Sequence, residues 1–367
     1  MYSTIPTNPA TIPTSAITPT TPASTPEVTG FNVKRPVWQQ EGLGFTVDRE
    51  IYEPIEALLL ASANWGVYKS PLGSNLSNVE TDIPYYFQDT GLYGVYRDFD
   101  NQFLGAIGNS FKLVQNVDGF EWFRPFLDGK HAYIESAGTL RHGEIVWVIA
   151  RLTANSCLDV IPGDAVEQRL LLTLCHNTRR SPQATFINTR ATCQNVLGQA
   201  NHRSRSNATL MKMRQTKSIA GQMTKVAEKI DLARRHFTGD VEAYRQLART
   251  RLSYSQMRGL LMQLFESPLS QQKEKDGRLE LMYPTLESYK PARLILEALD
   301  KLDTLQSPYV TGTGWALYNA IAHYETYLAK DTRRGSQLTK LEAQLEALWF
   351  VSKTNVLNSA LDLILNN

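Results

Sequence analysis

Residues 132–152 read AYIESAGTLRHGEIVWVIARL, and this stretch sets the fold class. Tyr133 to Leu140 has strand character, the His142–Gly143 pair marks a turn, and Ile145 to Leu152 is an apolar run rich in β-branched residues. Two such runs around a Gly-bearing turn read as a β-hairpin. Further strands are expected on both sides. LYGVYRDFDNQFLGAIGNSFKLVQN (92–116) reads as strand, turn at Asp100–Asn101, strand and a third strand, while VEQRLLLTLCHN (166–177) and ATFINTR (184–190) complete the set. ATFINTRATCQNVLGQA (184–200) begins as a buried strand and ends as a helix. From Cys193 onward the apolar spacing becomes three and four, as at Ile219, Met223, Val226 and Ile230, which is one helical face. Further helices are expected at 239–250, 253–266, 290–304, 313–330 and 335–350. Strands followed by helices indicate an α+β fold: an antiparallel sheet with packed helices in the N-terminal half and an all-helical C-terminal region.

Three parts follow from composition. Residues 1–30 are Pro, Thr and Ser with almost no charge or bulk, too little apolar area to offset ordering entropy, so a disordered tail is expected. Residues 31–210 form the α+β core domain and 211–367 the helical region. Within the core, Pro54 opens a helix, a strand follows from Trp65 to Lys69, SPLGSNLSNVETDIP (70–84) reads as a loop, and VDGFEWFRPFLDG (117–129) as one short helix. Gly105 and Gly108 inside strand-like sequence mark a bulge or a close backbone approach. Hydrophobic residues make up 42% of the 367, enough for a real core. The three cysteines, Cys157, Cys175 and Cys193, match no CxxC signature, and nothing has the form of a signal peptide or of the roughly 18 apolar residues that span a bilayer. The expected setting is a cytoplasm with reduced thiols, and no membrane partner.

The net charge of +2 says little, but its distribution says more. Residues 168–227 contain no Asp or Glu and ten cations: Arg169, Arg179, Arg180, Arg190, Arg203, Arg205, Lys212, Arg214, Lys217 and Lys225. That segment is +10 and the remainder −8, a lopsided field of the kind that steers a polyanion. Arginine presents a planar fork suited to phosphate, and interleaved Asn, Gln, Ser and Thr add donors without repelling it. Arg179, Arg180, Arg190, Arg203, Arg205, Lys212, Arg214 and Lys217 are therefore expected to contact phosphate, with His202 in the same segment and Asn188 and Asn195 positioning backbone or bases. The competing reading pairs these cations with acids from the rest of the chain.

Other chemistry finds less support. There is no GxSxG, HExxH, Walker A loop or GxGxxG after a strand. VTGTGWALYNA (310–320) reads as a helix entry capped by Thr311 or Thr313 rather than as a phosphate cradle. His323 reads as packing, and His176 and His202 as hydrogen-bonded structural residues. Tyr96, if left exposed among the aromatics of 65–99, would suit stacking on a nucleobase. A site built from Cys175, His176 and Cys193 is the alternative that would make the chain an enzyme. No cofactor, metal or catalytic residue is expected otherwise.

The blocks FLGAIGNSFKLVQNVDGFEWF (103–123), ESAGTLRHGEIVWVIARL (135–152), LLLTLCHN (170–177), RATCQNVLGQA (190–200) and TGTGWALYNAIAHYETY (311–327), in that order, resemble the phage/plasmid-like protein family known as domain of unknown function 932. The family's C-x-N-T-L block is met by Cys193, Asn195, Val196 and Leu197, with Val in place of Thr. Its Gly-x-x-Tyr-x-x-x-Gln-Asn block is met by Gly108, Phe111, Gln115 and Asn116, with Phe in place of Tyr. The resemblance implies a mobile-element setting and raises DNA handling, and the element order is similar in outline to Rad52-like annealing proteins. The resulting expectation is a non-catalytic nucleic-acid-binding protein of a phage, plasmid or other mobile element. It would act on single-stranded or recombining DNA and assemble as a homo-oligomer. The rivals are a structural or regulatory protein binding an acidic partner, and the enzyme above.

Overall fold

The computed structural model describes residues 29–34, 44–78, 83–153, 156–177, 182–193, 195–199, 210–212, 235–275, 278–329, 342, 345 and 354–367. Its strands are β1 (Thr29–Val33), β2 (Phe45–Val47), β3 (Val67–Asn78), β4 (Ile83–Arg97), β5 (Phe103–Gly108), β6 (Ala132–Leu140), β7 (Ile145–Leu152), β8 (Cys157–Ile161), β9 (Asp164–Cys175), β10 (Gln183–Arg190), β11 (Val196–Gln199), β12 (Leu210–Lys212), β13 (Gln272–Lys275) and β14 (Arg278–Leu281). Its helices are α1 (Pro54–Leu60), α2 (Asn116–Glu121), α3 (Arg124–Asp128), α4 (235–249), α5 (Tyr254–Leu264), α6 (Glu266–Leu269), α7 (Lys290–Lys301), α8 (Gly314–His323) and α9 (Thr354–Leu365).

The 132–152 hairpin forms as β6 and β7 and sits inside the main sheet, whose order is β11-β10-β9-β7-β6-β1-β2, with β8 on β9 and β12 on β10. All pairings are antiparallel except β1 with β2. β7 lacks the polar alternation of a half-exposed strand because both of its faces are covered. Val146, Val148, Ala150 and Leu152 join Leu170, Leu172, Leu174, Ala184 and Phe186 in a core with α1, α2 and α3. Ile145, Trp147 and Ile149 join Leu171, Cys175 and Ile187 on the other face. Fully burying one such aliphatic side chain stabilises by ~1.5–3 kcal/mol, so this strand anchors the sheet. Val160, Val166 and Leu197 carry the sheet's far end into a third core built by the C-terminal helices.

Several local expectations need correction. The chain is mixed α+β, but its C-terminal part is not all helical, since β13 and β14 form a hairpin there. β1 begins two residues inside the segment read as tail, and its Phe31 is fully buried. Residues 70–78 and 83–84, read as loop, lie in β3 and β4, which pair from Val67–Arg97 out to Asn78–Ile83. Pro71 is tolerated because β3 is an edge strand. No third strand follows β5. Instead Gln115 bonds both the N–H and the C=O of Val67, each at 2.9 Å. The single helix expected over 117–129 is two, α2 and α3. Val196 to Gln199 is a strand, not the start of a helix, and pairs with β10 across a register shift at Asn188–Thr189. The helical face at Ile219 to Ile230 and most of the 335–350 helix lie outside the described residues. Among the described residues no helix is long and apolar enough to cross a membrane.

Candidate nucleic-acid interface

The proposed contact residues separate into four groups. Arg190 ends β10 and turns inward. Its Nε and Nη2 donate to Oδ1 and Oδ2 of Asp164, both at 2.7 Å, and Nη2 also donates to the Thr304 carbonyl at 2.9 Å. Trp315, on α8, donates its indole N–H to the same Asp164 Oδ2 at 2.8 Å, and its ring lies 5.8 Å from the guanidinium. With 2% of its surface exposed, Arg190 cannot reach a phosphate, and its expected role is corrected to a buried ion pair. Arg169 is likewise buried between Glu135 and Glu167, with Nε 2.5 Å from Glu135 Oε2 and Nη2 2.9 Å from Glu167 Oε2. Burial opposes its charge, but the two carboxylates outweigh burial and hold its pKa above the ordinary arginine value. Glu135 reaches it from a register shift between Ile134 and Ser136 in β6.

The amides are also internal. Asn188 accepts from Gln168 at 3.4 Å and donates to Asp240 on α4 at 2.9 Å. Asn195 donates to the Asn319 carbonyl at 3.1 Å. Both are buried, so they position the protein's own backbone and helices rather than a ligand. Lys212 is the third case: its backbone pairs in β12 with Gln183, at the edge of β10. Arg179, Arg180, His202, Arg203, Arg205, Arg214 and Lys217 lie outside the described residues.

Around Arg190 the two halves of the chain are fastened together. The Val196 N–H donates to Thr326 Oγ1 at 3.1 Å, the Tyr318 hydroxyl to the Leu197 carbonyl at 2.5 Å, and the Tyr327 hydroxyl to the Cys193 carbonyl at 2.6 Å. Thr313 caps α8 by accepting from the Ala316 N–H at 3.1 Å. Burial pushes the Tyr318 and Tyr244 hydroxyls well above the usual tyrosine range, so both remain protonated donors. Among the described residues, Arg190 Nη1, Asn195 Oδ1 and Asn319 Oδ1 are buried here without a hydrogen-bond partner.

A second fastening uses His176. Asn116 commits its amide protons to the carbonyls of Ala63 and Trp65, at 3.0 and 3.1 Å. Its Oδ1 therefore accepts, and His176 Nε2 donates, at 2.8 Å. Burial pushes the His176 pKa down to about 4, which keeps the ring neutral. Beside it, a Cβ on Gly105 would lie 2.5 Å from Asn177 Cβ, so the glycine permits the close approach of β5 to the end of β9. Cys175 ends β9, His176 lies in the bend after it, and the two enter different surroundings: Cys175 packs with Leu140 and Ile145, His176 against Trp65. Among the described residues no group of three or more His, Cys, Asp or Glu can hold a metal.

These contacts join the very blocks singled out in the sequence: 103–123 with 170–177 through Asn116 and His176, and 190–200 with 311–327 through Asn195, Val196 and Leu197. Sequence reasoning missed Asp164, Glu135 and Trp315, the residues that neutralise or enclose Arg190 and Arg169. Asp164 and Glu167 stand just ahead of the acid-free run, a signal that strand pairing rather than local spacing would have exposed. No curated protein and no solved structure matches this chain. A family model described as Domain of unknown function (DUF932) matches residues 103–349, about two thirds of the chain, and the chain belongs to that family.

Proposed function

We propose that this protein binds nucleic acid without catalysis, through the cations of its acid-free run. One observation carries the reading: β12 pairs with β10 so that Lys212 stands opposite Gln183, three residues after Arg180. The connection bearing Arg179 and Arg180 thus enters the sheet at the corner from which the chain departs toward Arg214 and Lys217. With Arg169 and Arg190 buried in ion pairs, eight of the ten cations remain for this role, none with an acid near it in sequence except Lys225. Arginine-rich, acid-poor segments suit phosphate contacts that carry little sequence preference. A role in single-strand binding or annealing for a mobile element, with the chain acting as a homo-oligomer, belongs to the same proposal.

The test is filter binding of single- and double-stranded DNA at stepped salt, comparing the wild type with the fourfold variant Arg179→Glu, Arg180→Glu, Lys212→Glu and Arg214→Glu. Each phosphate contact contributes about 0.7–0.9 to the log–log salt slope, so the variant should lose about 3. Melting should be unchanged. An unaltered slope would refute the interface, and weak, salt-independent DNA binding would favour an acidic protein partner instead.

A further inference from the structure

The sheet formed by β3, β4 and β5 covers the first core with one face and, among the described residues, leaves the other open. Val67, Val95, Leu104 and Ile107 are buried on the inner face. On the open face, Tyr68, Tyr96 and Phe103 stand in register across the three strands. Their rings follow one another with centroids 5.6 Å apart at both steps. The Tyr96 ring lies across Gly94, where a Cβ would come within 2.6 Å of it, so the middle of the row is held flat by a missing side chain. Tyr68 and Phe103 are 40% and 46% exposed, and Leu92 on the same face is 46% exposed.

Charge decides against nucleic acid as the occupant. Between Lys69 and Arg97 the sequence has no Lys or Arg and carries Glu80, Asp82 and Asp89, and Arg97 is paired with Asp100, so a phosphate chain laid along these strands would meet more repulsion than neutralisation. The face suits an uncharged ligand that packs on rings. Such a ligand is present in the same chain. Residues 1–28 contain six prolines, including the PxxP spacings Pro6–Pro9 and Pro19–Pro22, and Glu27 is their one charged side chain. Proline-rich segments favour the polyproline II helix, and aromatic-lined surfaces recognise it because little entropy is lost on docking.

The reach is sufficient. Thr29, where the described chain starts, donates from Oγ1 to the Ala61 carbonyl at 3.4 Å. Ala61 is seven residues from Tyr68, at most about 25 Å of extended chain. Twenty-eight residues of polyproline II span about 87 Å. We propose that the proline-rich residues 1–28 of this chain dock on its own Tyr68–Tyr96–Phe103 face.

The test is photocrosslinking in the full chain with p-benzoylphenylalanine replacing Ile12, on an equal mixture of isotopically light and heavy protein, mapped by mass spectrometry. Cross-links should fall on β3 to β5 and join residues of one chain. Their yield should drop at least about fivefold in the double variant Tyr96→Ser, Phe103→Ser, the effect expected for removing an aromatic anchor. It should drop similarly when the six prolines of residues 1–28 become Ser, a change that alters none of the described residues. Light–heavy cross-links would place a second copy's tail on the face and overturn docking within one chain. Cross-links elsewhere, or yields unchanged in either variant, would overturn the proposal outright. Because no nucleic acid is added, this outcome is independent of the DNA-binding test.

Discussion

Arg190 and Asp164 hold each other through two parallel hydrogen bonds of 2.7 Å inside the protein, 26 residues apart in sequence and on adjacent strands. The pair is nearly dry, with side-chain exposures of 2% and 7%. Losing one partner of a buried pair leaves an uncompensated charge, which typically costs ~3–5 kcal/mol, whereas replacing both partners costs less. Arg190→Met should therefore lower the urea midpoint sharply, and Asp164→Asn with Arg190→Met should recover part of the loss. DNA affinity per folded molecule should be the same in both. A wild-type midpoint for Arg190→Met would mean that the guanidinium is solvated.

The hydroxyl of Tyr318 tests the same joint more gently. It donates to the Leu197 carbonyl, which also receives the Tyr244 hydroxyl at 3.3 Å. A net hydrogen bond contributes roughly 0.5–1.5 kcal/mol, and the carbonyl keeps its second donor. Tyr318→Phe should accordingly cost about 1 kcal/mol in chemical denaturation. Tyr244→Phe with Tyr318→Phe should cost more than the two single changes added together, because only the double variant strips the carbonyl of both donors.

What the sequence revealed and concealed has a physical pattern. The β6–β7 hairpin was legible because its apolar runs and turn are local, and the Thr313 cap because its hydroxyl sits one residue ahead of α8. The outer part of β3 and β4 was not, since Ser, Gly and Asn are poor strand formers and the pairing of Asn75 with Phe87 is not written in either stretch alone. β11 has four residues and follows a register shift, too little for any period to show. The site failed for a related reason. Charge counted along the chain identifies Arg169 and Arg190 as unpartnered, while the strand order β10-β9-β7-β6 sets Asp164, Glu167 and Glu135 against them.

His176 makes stability depend on pH. Its folded pKa of about 4 lies below the ordinary histidine value near 6.5. The unfolded chain thus takes up the proton first as pH falls. The contribution is intact above about pH 6.5 and is lost progressively down to about pH 4, by at most about 3 kcal/mol. His176→Gln keeps an amide donor for Asn116 but does not titrate. Carboxylates act equally in both proteins, so the stability gap between wild type and variant should narrow from pH 7.5 to pH 4.5. A constant gap would show that the ring is not held neutral.

Gly138 and Gly30 face each other in register where β1 enters the main sheet. A Cβ on Gly138 would sit 2.1 Å from the Thr29 carbonyl oxygen, and one on Gly30 would sit 2.5 Å from the Ala137 carbonyl oxygen. Both obstacles are backbone, which cannot rotate away as a flexible side chain would. Gly138→Ala should therefore push β1 off β6 and cost ~1–3 kcal/mol, the usual range for overpacking. Gly108 provides the contrast, because a Cβ there meets nothing within 4 Å, and Gly108→Ala should be close to neutral. Hydrogen exchange would locate the effect: amides of β1 and its β6 partners should lose protection in Gly138→Ala, while those of β7, β9 and β10 should not. Equal exchange in the two variants would mean that β1 adapts to the added methyl group.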